Sequence, residues 1–128
     1  MRVLFLDTET TGLPEGKNIS LYHTQKWPYV IQLSYIIFDT EENEVVHTFD
    51  SVIKLDDSVE ISEKSISMHG VTRERSQTEG AIMKGALEEL NDNLKTIDLI
   101  VGHNISFDKQ IMIVENIRNN VFSLFPKK

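Results

Sequence analysis

Two carboxylates stand two residues apart near the start of the chain, Asp7 and Glu9. On an extended strand, residues i and i+2 point to the same face. Two hard oxygen donors there can share a divalent cation, and such a cation can stabilise charge on a phosphoryl oxygen. The spacing alone says little, because chance gives about 0.7 such pairs in a chain with this Asp and Glu content. A second copy exists, Asp39-Thr40-Glu41, also at the end of an apolar run. The residues downstream of each copy separate them. Asp7-Thr8-Glu9 leads into Thr10, Thr11, Gly12 and Leu13. Small residues and a glycine let backbone N–H groups approach a ligand, and Leu13 offers an apolar surface to a base. The second copy leads into a polar stretch and reads as a solvated hairpin turn. A third carboxylate, Asp108, falls in the expected first turn of a helix, where the macrodipole favours an anion. The bland readings are an ordinary strand exit for the pair and helix capping for Asp108.

These positions need a scaffold. Val3 to Leu6 reads as a buried-type strand delivering Asp7. Thr8 to Trp27 reads as a long loop broken by Gly12, Pro14 and Gly16. Tyr29 to Phe38 and Val45 to Leu55 read as strands joined by a polar turn. Asp56 to Gly70 is expected to be loop with a short helix around Glu63 to Met68. Thr78 is placed to cap a helix running to about Leu94, with Met83, Leu87, Leu90 and Leu94 on one stripe. Asp98 to Gly102 reads as a fourth strand. A last helix begins near Ser106 and turns Phe107, Ile111, Val114 and Ile117 inward. The order β-β-β-α-β-α implies an α/β fold, a mixed sheet flanked by helices.

The 128 residues suggest one domain. With no cysteine, disulfides, thiolate catalysis and Cys-ligated zinc are excluded. A net charge of −7 argues against a protein that coats nucleic acid with a broad basic face. It leaves room for an enzyme that meets phosphate through bound cations. The apolar run after Met1 is too short for a signal peptide, and no stretch reaches the ~20 apolar residues of a membrane span. The expected location is cytoplasmic, or nuclear in a eukaryotic host.

Asp7 to Leu13 resembles the first motif of the DEDD (DnaQ-like) 3′→5′ exonucleases, the superfamily that includes the proofreading subunit of bacterial DNA polymerase III. Tyr29-Val30-Ile31-Gln32-Leu33-Ser34 resembles that family's second strand. Ile66-Ser67-Met68-His69-Gly70-Val71-Thr72 resembles its His-Gly-aliphatic-Thr segment. Leu99 to Asp108 resembles its second motif, an apolar strand followed by His-Asn and Phe-Asp. All four occur in order and span nearly the whole chain. The resemblance implies a ribonuclease H-like fold and two-metal hydrolysis at the 3′ end of single-stranded DNA or RNA, with Mg²⁺ or Mn²⁺. It implies Asp7, Glu9 and Asp108 as catalytic metal ligands. It also implies Thr10, Thr11, Gly12 and Leu13 around the terminal nucleotide, and His69, Asn104 and Phe107 along the strand cleft. Against this, His69 also reads as a turn histidine beside Gly70, Phe107 equally as a core residue, and His103 as structural.

The chain departs from the family in one respect. The family's fourth carboxylate and general base lie together on a later helix, and after Asp108 this sequence has no Asp, His or Tyr. The expectation is a domain cut short at its C-terminal end, lacking the last strand and catalytic helix and leaving the fourth strand as an exposed edge. A polymerase or a C-terminal complementing fragment is then an expected partner. The alternative is an inactive or split homologue that binds a strand end or a partner protein.

Overall fold

Runs of alternating side chains build the sheet. In a computed structural model of the chain, which describes residues 1–125, β1 is Arg2–Thr10, β2 is Val30–Asp39, β3 is Glu44–Val52 and β4 is Leu99–Val101. The strand order is β3-β2-β1-β4. The first three form an antiparallel meander, and β4 joins β1 in parallel. A parallel partner requires a crossover. Here it contains α1 (Glu63–His69), α2 (Arg73–Glu79) and α3 (Met83–Leu94), and α4 (Ile105–Arg118) follows β4.

The pleat sorts the two faces. Leu4 and Leu6 lie opposite Ile37 and Tyr35, and all four are buried. On this face the α3 stripe of Met83, Leu87, Leu90 and Leu94 joins Ile111 and Val114 of α4 in one core. A buried amide pair ties the two helices, Asn91 Nδ2 donating to Asn116 Oδ1 at 2.7 Å. The other face carries Phe5 opposite Ile36, and Asp7 opposite Ser34. Phe5 and Ile36 are 42% and 39% exposed, so this face is largely uncovered.

Three expectations need correction. The first strand runs to Thr10, because pairing with β2 continues through Glu9 opposite Gln32. Thr8 to Thr10 are therefore strand and not loop. The third strand ends at Val52, and Ile53 bridges to Ala81. Thr78 does not cap the long helix. It lies inside α2, its hydroxyl donating to the Glu74 carbonyl, and α3 starts after Ile82 without a side-chain cap. The helix α2 lacks an apolar stripe and buries only Ser76. That hydroxyl donates to Ile53 O and accepts from Leu55 N. No helix among the described residues is long and apolar enough to cross a membrane.

Candidate active site

The site forms where β1 outruns its neighbour. β4 ends at Val101, opposite Phe5, and the chain turns there into α4. Asp7 and Glu9 share one face of β1 by register with Ser34 and Gln32. Asp108 occupies the first turn of α4 and is 5% exposed. Its Oδ1 accepts a hydrogen bond of 2.7 Å from the Thr8 hydroxyl. Burial pushes the Asp108 carboxyl above its usual range. The Thr8 bond opposes this, the negative charges of Asp7 and Glu9 add to it, and His103 lowers it. The charges of Asp7 and Glu9 thus both act on Asp108. Among the described residues, however, no three His, Cys, Asp or Glu side chains are gathered tightly enough to hold an ion as they stand. The donor set itself, three hard carboxylates with crowded negative charge, fits a divalent cation such as Mg²⁺ or Mn²⁺.

Beside Glu9 lies a cavity of about 520 Å³ whose lining includes Thr8, Thr10, Gly12, Leu13, Lys64 and His69. Leu13 is 81% exposed, and a Cβ at Gly12 would meet nothing within 4 Å. The fold therefore demands neither residue. Thr10 donates its hydroxyl to Gly12 O. Thr11, expected to hold a nucleotide, is buried and engaged internally. Its N–H donates to Tyr29 O at 2.9 Å, its Oγ1 accepts from Tyr29 N at 3.0 Å, and its carbonyl accepts from Ser62 N. Thr11 anchors the loop and has no free polar group there. His69 ends α1, which Ser62 caps and the left-handed Gly70 terminates. His69 Nδ1 accepts from the Val71 N–H, so Nε2 carries the proton and donates to the Thr10 carbonyl at 3.2 Å.

The other expected residues lie elsewhere. Phe107 is half-buried and lines a separate cavity of about 220 Å³ with Pro14, Gly16, Asn18, Ile19 and Trp27. Asn104 is exposed at the N-cap of α4 without a side-chain cap bond. His103, read as structural, is exposed and lines a cavity of about 480 Å³ on the uncovered face with Asp7, Ser34 and Asp50. The second D-x-E copy is a turn. Asp39 Oδ1 accepts from the N–H groups of Glu41 and Glu42, and its Oδ2 pairs with Arg2 at the far end of β1. Glu41 is exposed, while Asp39 is half-buried by that packing.

Sequence reading missed the clamp at the far end of α4. Glu115 Oε2 accepts from Val30 N, and its Oε1 takes the Arg118 guanidinium at 2.9 Å. Arg118 also donates to the carbonyls of Thr24, Trp27 and Pro28. Glu115 is the only carboxylate after Asp108, and these bonds occupy it. The only signal in the sequence was a Glu and an Arg three apart after the apolar run Ile111 to Val114.

Comparison with known proteins shows the family and the fold. The model of the RNase_T family, described as exonuclease, matches residues 4–127. E. coli exonuclease I in complex with a dT13 oligonucleotide superposes with a TM-score of 0.74 at 18% identity, over 94% of this chain and 24% of that one. The same enzyme with a 5cy-dA13 oligonucleotide gives 0.75 at 18% identity, over 94% and 24%. The exonuclease I structure concerned with processivity gives 0.74 at 19% identity, over 94% and 24%. The likeness shows a shared ribonuclease H-like fold, and the chain spans about a quarter of the length of those structures. A search of curated protein sequences finds no match.

Proposed function

The chain belongs to the RNase_T exonuclease family, whose model spans nearly all of it, and on that premise we propose that it is a metal-dependent 3′→5′ exonuclease domain acting on the 3′ end of single-stranded DNA or RNA. One observation carries the reading. The buried Asp108 feels the charges of Asp7 and Glu9, and Glu9 itself lines the cavity over which Leu13 projects.

Each side chain has a role that its position supports. Asp7, Glu9 and Asp108 would hold Mg²⁺ or Mn²⁺, which would supply Lewis-acid chemistry at a phosphodiester. Leu13 presents apolar surface to the terminal base, and the open space at Gly12 admits the sugar-phosphate close to the backbone. Lys64 in the same cavity offers a cation to a phosphate, which matters in a chain of net charge −7. His69, with both ring nitrogens engaged, fixes the Thr10 carbonyl and hence the loop. An oligonucleotide bound to exonuclease I, which has a like fold, supports a strand as the ligand.

A general base contributes typically 10²–10⁴-fold, and no residue after Asp108 offers one within these 128. Glu115 cannot serve, being held by Val30 and Arg118. These 128 residues by themselves would then cleave slowly.

The test is a 5′-labelled single-stranded oligonucleotide incubated with Mn²⁺ and excess chain. Slow loss of single nucleotides from the 3′ end, abolished by Asp7→Ala and by a blocked 3′ terminus, is expected. Internal cuts, or shortening unchanged in Asp7→Ala, contradict the proposal.

A further inference from the structure

Two features fix where the Asp108 carboxylate lies, and neither belongs to a metal-binding carboxylate. The first is Thr8, between Asp7 and Glu9. Its register opposite Leu33 turns it to the other side of β1 from its two neighbours. From there its hydroxyl donates to Asp108 Oδ1 at 2.7 Å, across 100 residues of sequence. The second is Gly102, in the turn between β4 and α4. A Cβ at Gly102 would stand 2.9 Å from the Leu6 carbonyl oxygen, 3.0 Å from Ile105 Cδ1 and 3.3 Å from Asp108 Oδ2. Its φ does not require glycine, so the demand is for space. One oxygen of Asp108 is thus tied by a hydroxyl, and the other lies against a position with no side chain. Gly102 itself lines, with Asp7, the cavity on the uncovered face.

We propose that Thr8 and Gly102 are positioning residues that seat the Asp108 carboxylate, holding Oδ1 and leaving Oδ2 for a divalent cation. The proposal rests on the metal-dependent reading above. A carboxylate ligand with its second oxygen hydrogen-bonded is oriented before the ion arrives, and removing such a partner typically costs 10–100-fold in metal affinity. The hydroxyl also restrains a side chain that would otherwise lose its freedom on binding. Valine keeps nearly the shape of threonine and lacks the hydroxyl, whereas serine keeps it.

The experiment measures Mn²⁺ affinity directly, from the loss of the free-ion electron paramagnetic resonance signal. The samples are the intact chain and its Thr8→Val, Thr8→Ser, Gly102→Ala and Asp7→Asn variants. Thr8→Val and Gly102→Ala are expected to bind roughly 10–100-fold more weakly, and Thr8→Ser to stay near the parent. Equal affinity in the parent and Thr8→Val overturns the proposal while the metal reading stands. No Asp7-dependent binding in the parent overturns the metal reading, and the proposal with it. A metal-free control removes the ambiguity of a variant that folds poorly. Thr8→Val should lower the melting temperature in the parent but not in an Asp108→Ala background. An equal drop in both backgrounds overturns the contact.

Discussion

The guanidinium of Arg118 lies 3.7 Å from the centre of the Tyr29 ring. The backbone of Tyr29 in turn holds Thr11 through both its N–H and its carbonyl. One helix therefore serves both halves of the site. Its first turn carries Asp108, and its last turn holds the segment that anchors the loop leading to Leu13.

Arg118→Met should be severely destabilising. It leaves Glu115, 2% exposed, as a buried charge without its partner, and breaking such a pair costs about 3–5 kcal/mol. The double change Glu115→Leu with Arg118→Met should cost less than Arg118→Met alone. Trp27 is the only tryptophan and its carbonyl accepts from Arg118, so its fluorescence reports the loosening. A double variant less stable than Arg118→Met would refute this role for the clamp.

Asp108 gives a pH prediction. Burial first, then the charges of Asp7 and Glu9, raise its carboxyl above the usual range. Without metal, the folded chain therefore takes up this proton at higher pH than the unfolded chain. Between the ordinary pKa of about 3.9 and the raised one, the folded state binds more protons. Its stability falls as pH rises through that window, and the loss is complete above the folded pKa. Asp108→Asn removes this loss, so at pH 7 without metal it should melt higher than the parent. Glu115, also raised by burial, titrates in both proteins and cancels. A lower melting temperature for Asp108→Asn would show that the Thr8 bond outweighs burial.

Leu13→Ala should leave stability within about 0.5 kcal/mol, as expected for an exposed residue. Affinity for a single-stranded 3′ end should drop roughly tenfold, from the loss of apolar contact. Fluorescence anisotropy with a labelled oligonucleotide and Ca²⁺ in place of Mg²⁺ reads this without cleavage. Unchanged affinity would remove Leu13 from the site.

Periodic features were legible in the sequence, and contacts between distant segments were not. The α3 stripe from Met83 to Leu94 announces itself by its period, and the strands at Val3 to Leu6 and Tyr29 to Phe38 by their apolar and β-branched runs. Arg73–Glu79 hides because a single hydroxyl, Ser76, ties it down and no apolar pattern does. Asp7, Glu9 and Leu13 were singled out through the resemblance of residues 7–13 to a family motif, since a D-x-E pair alone arises by chance. Thr11 belongs to the same motif, yet its role is internal, since its partner Tyr29 lies 18 residues away. Thr8 and Gly102 gave no signal, because a small residue's role depends on what packs against it.

The most direct measurement is a ¹H–¹⁵N spectrum of the ¹⁵N-labelled chain with substoichiometric Mn²⁺, which broadens amides near the bound ion. Broadening is expected to centre on residues 7–9 and 102–108 and to weaken in Asp7→Asn, with the Asp39 to Glu44 turn untouched. Broadening centred on that turn, or spread evenly over the acidic surface, would contradict the assignment of Asp7, Glu9 and Asp108 as the metal site.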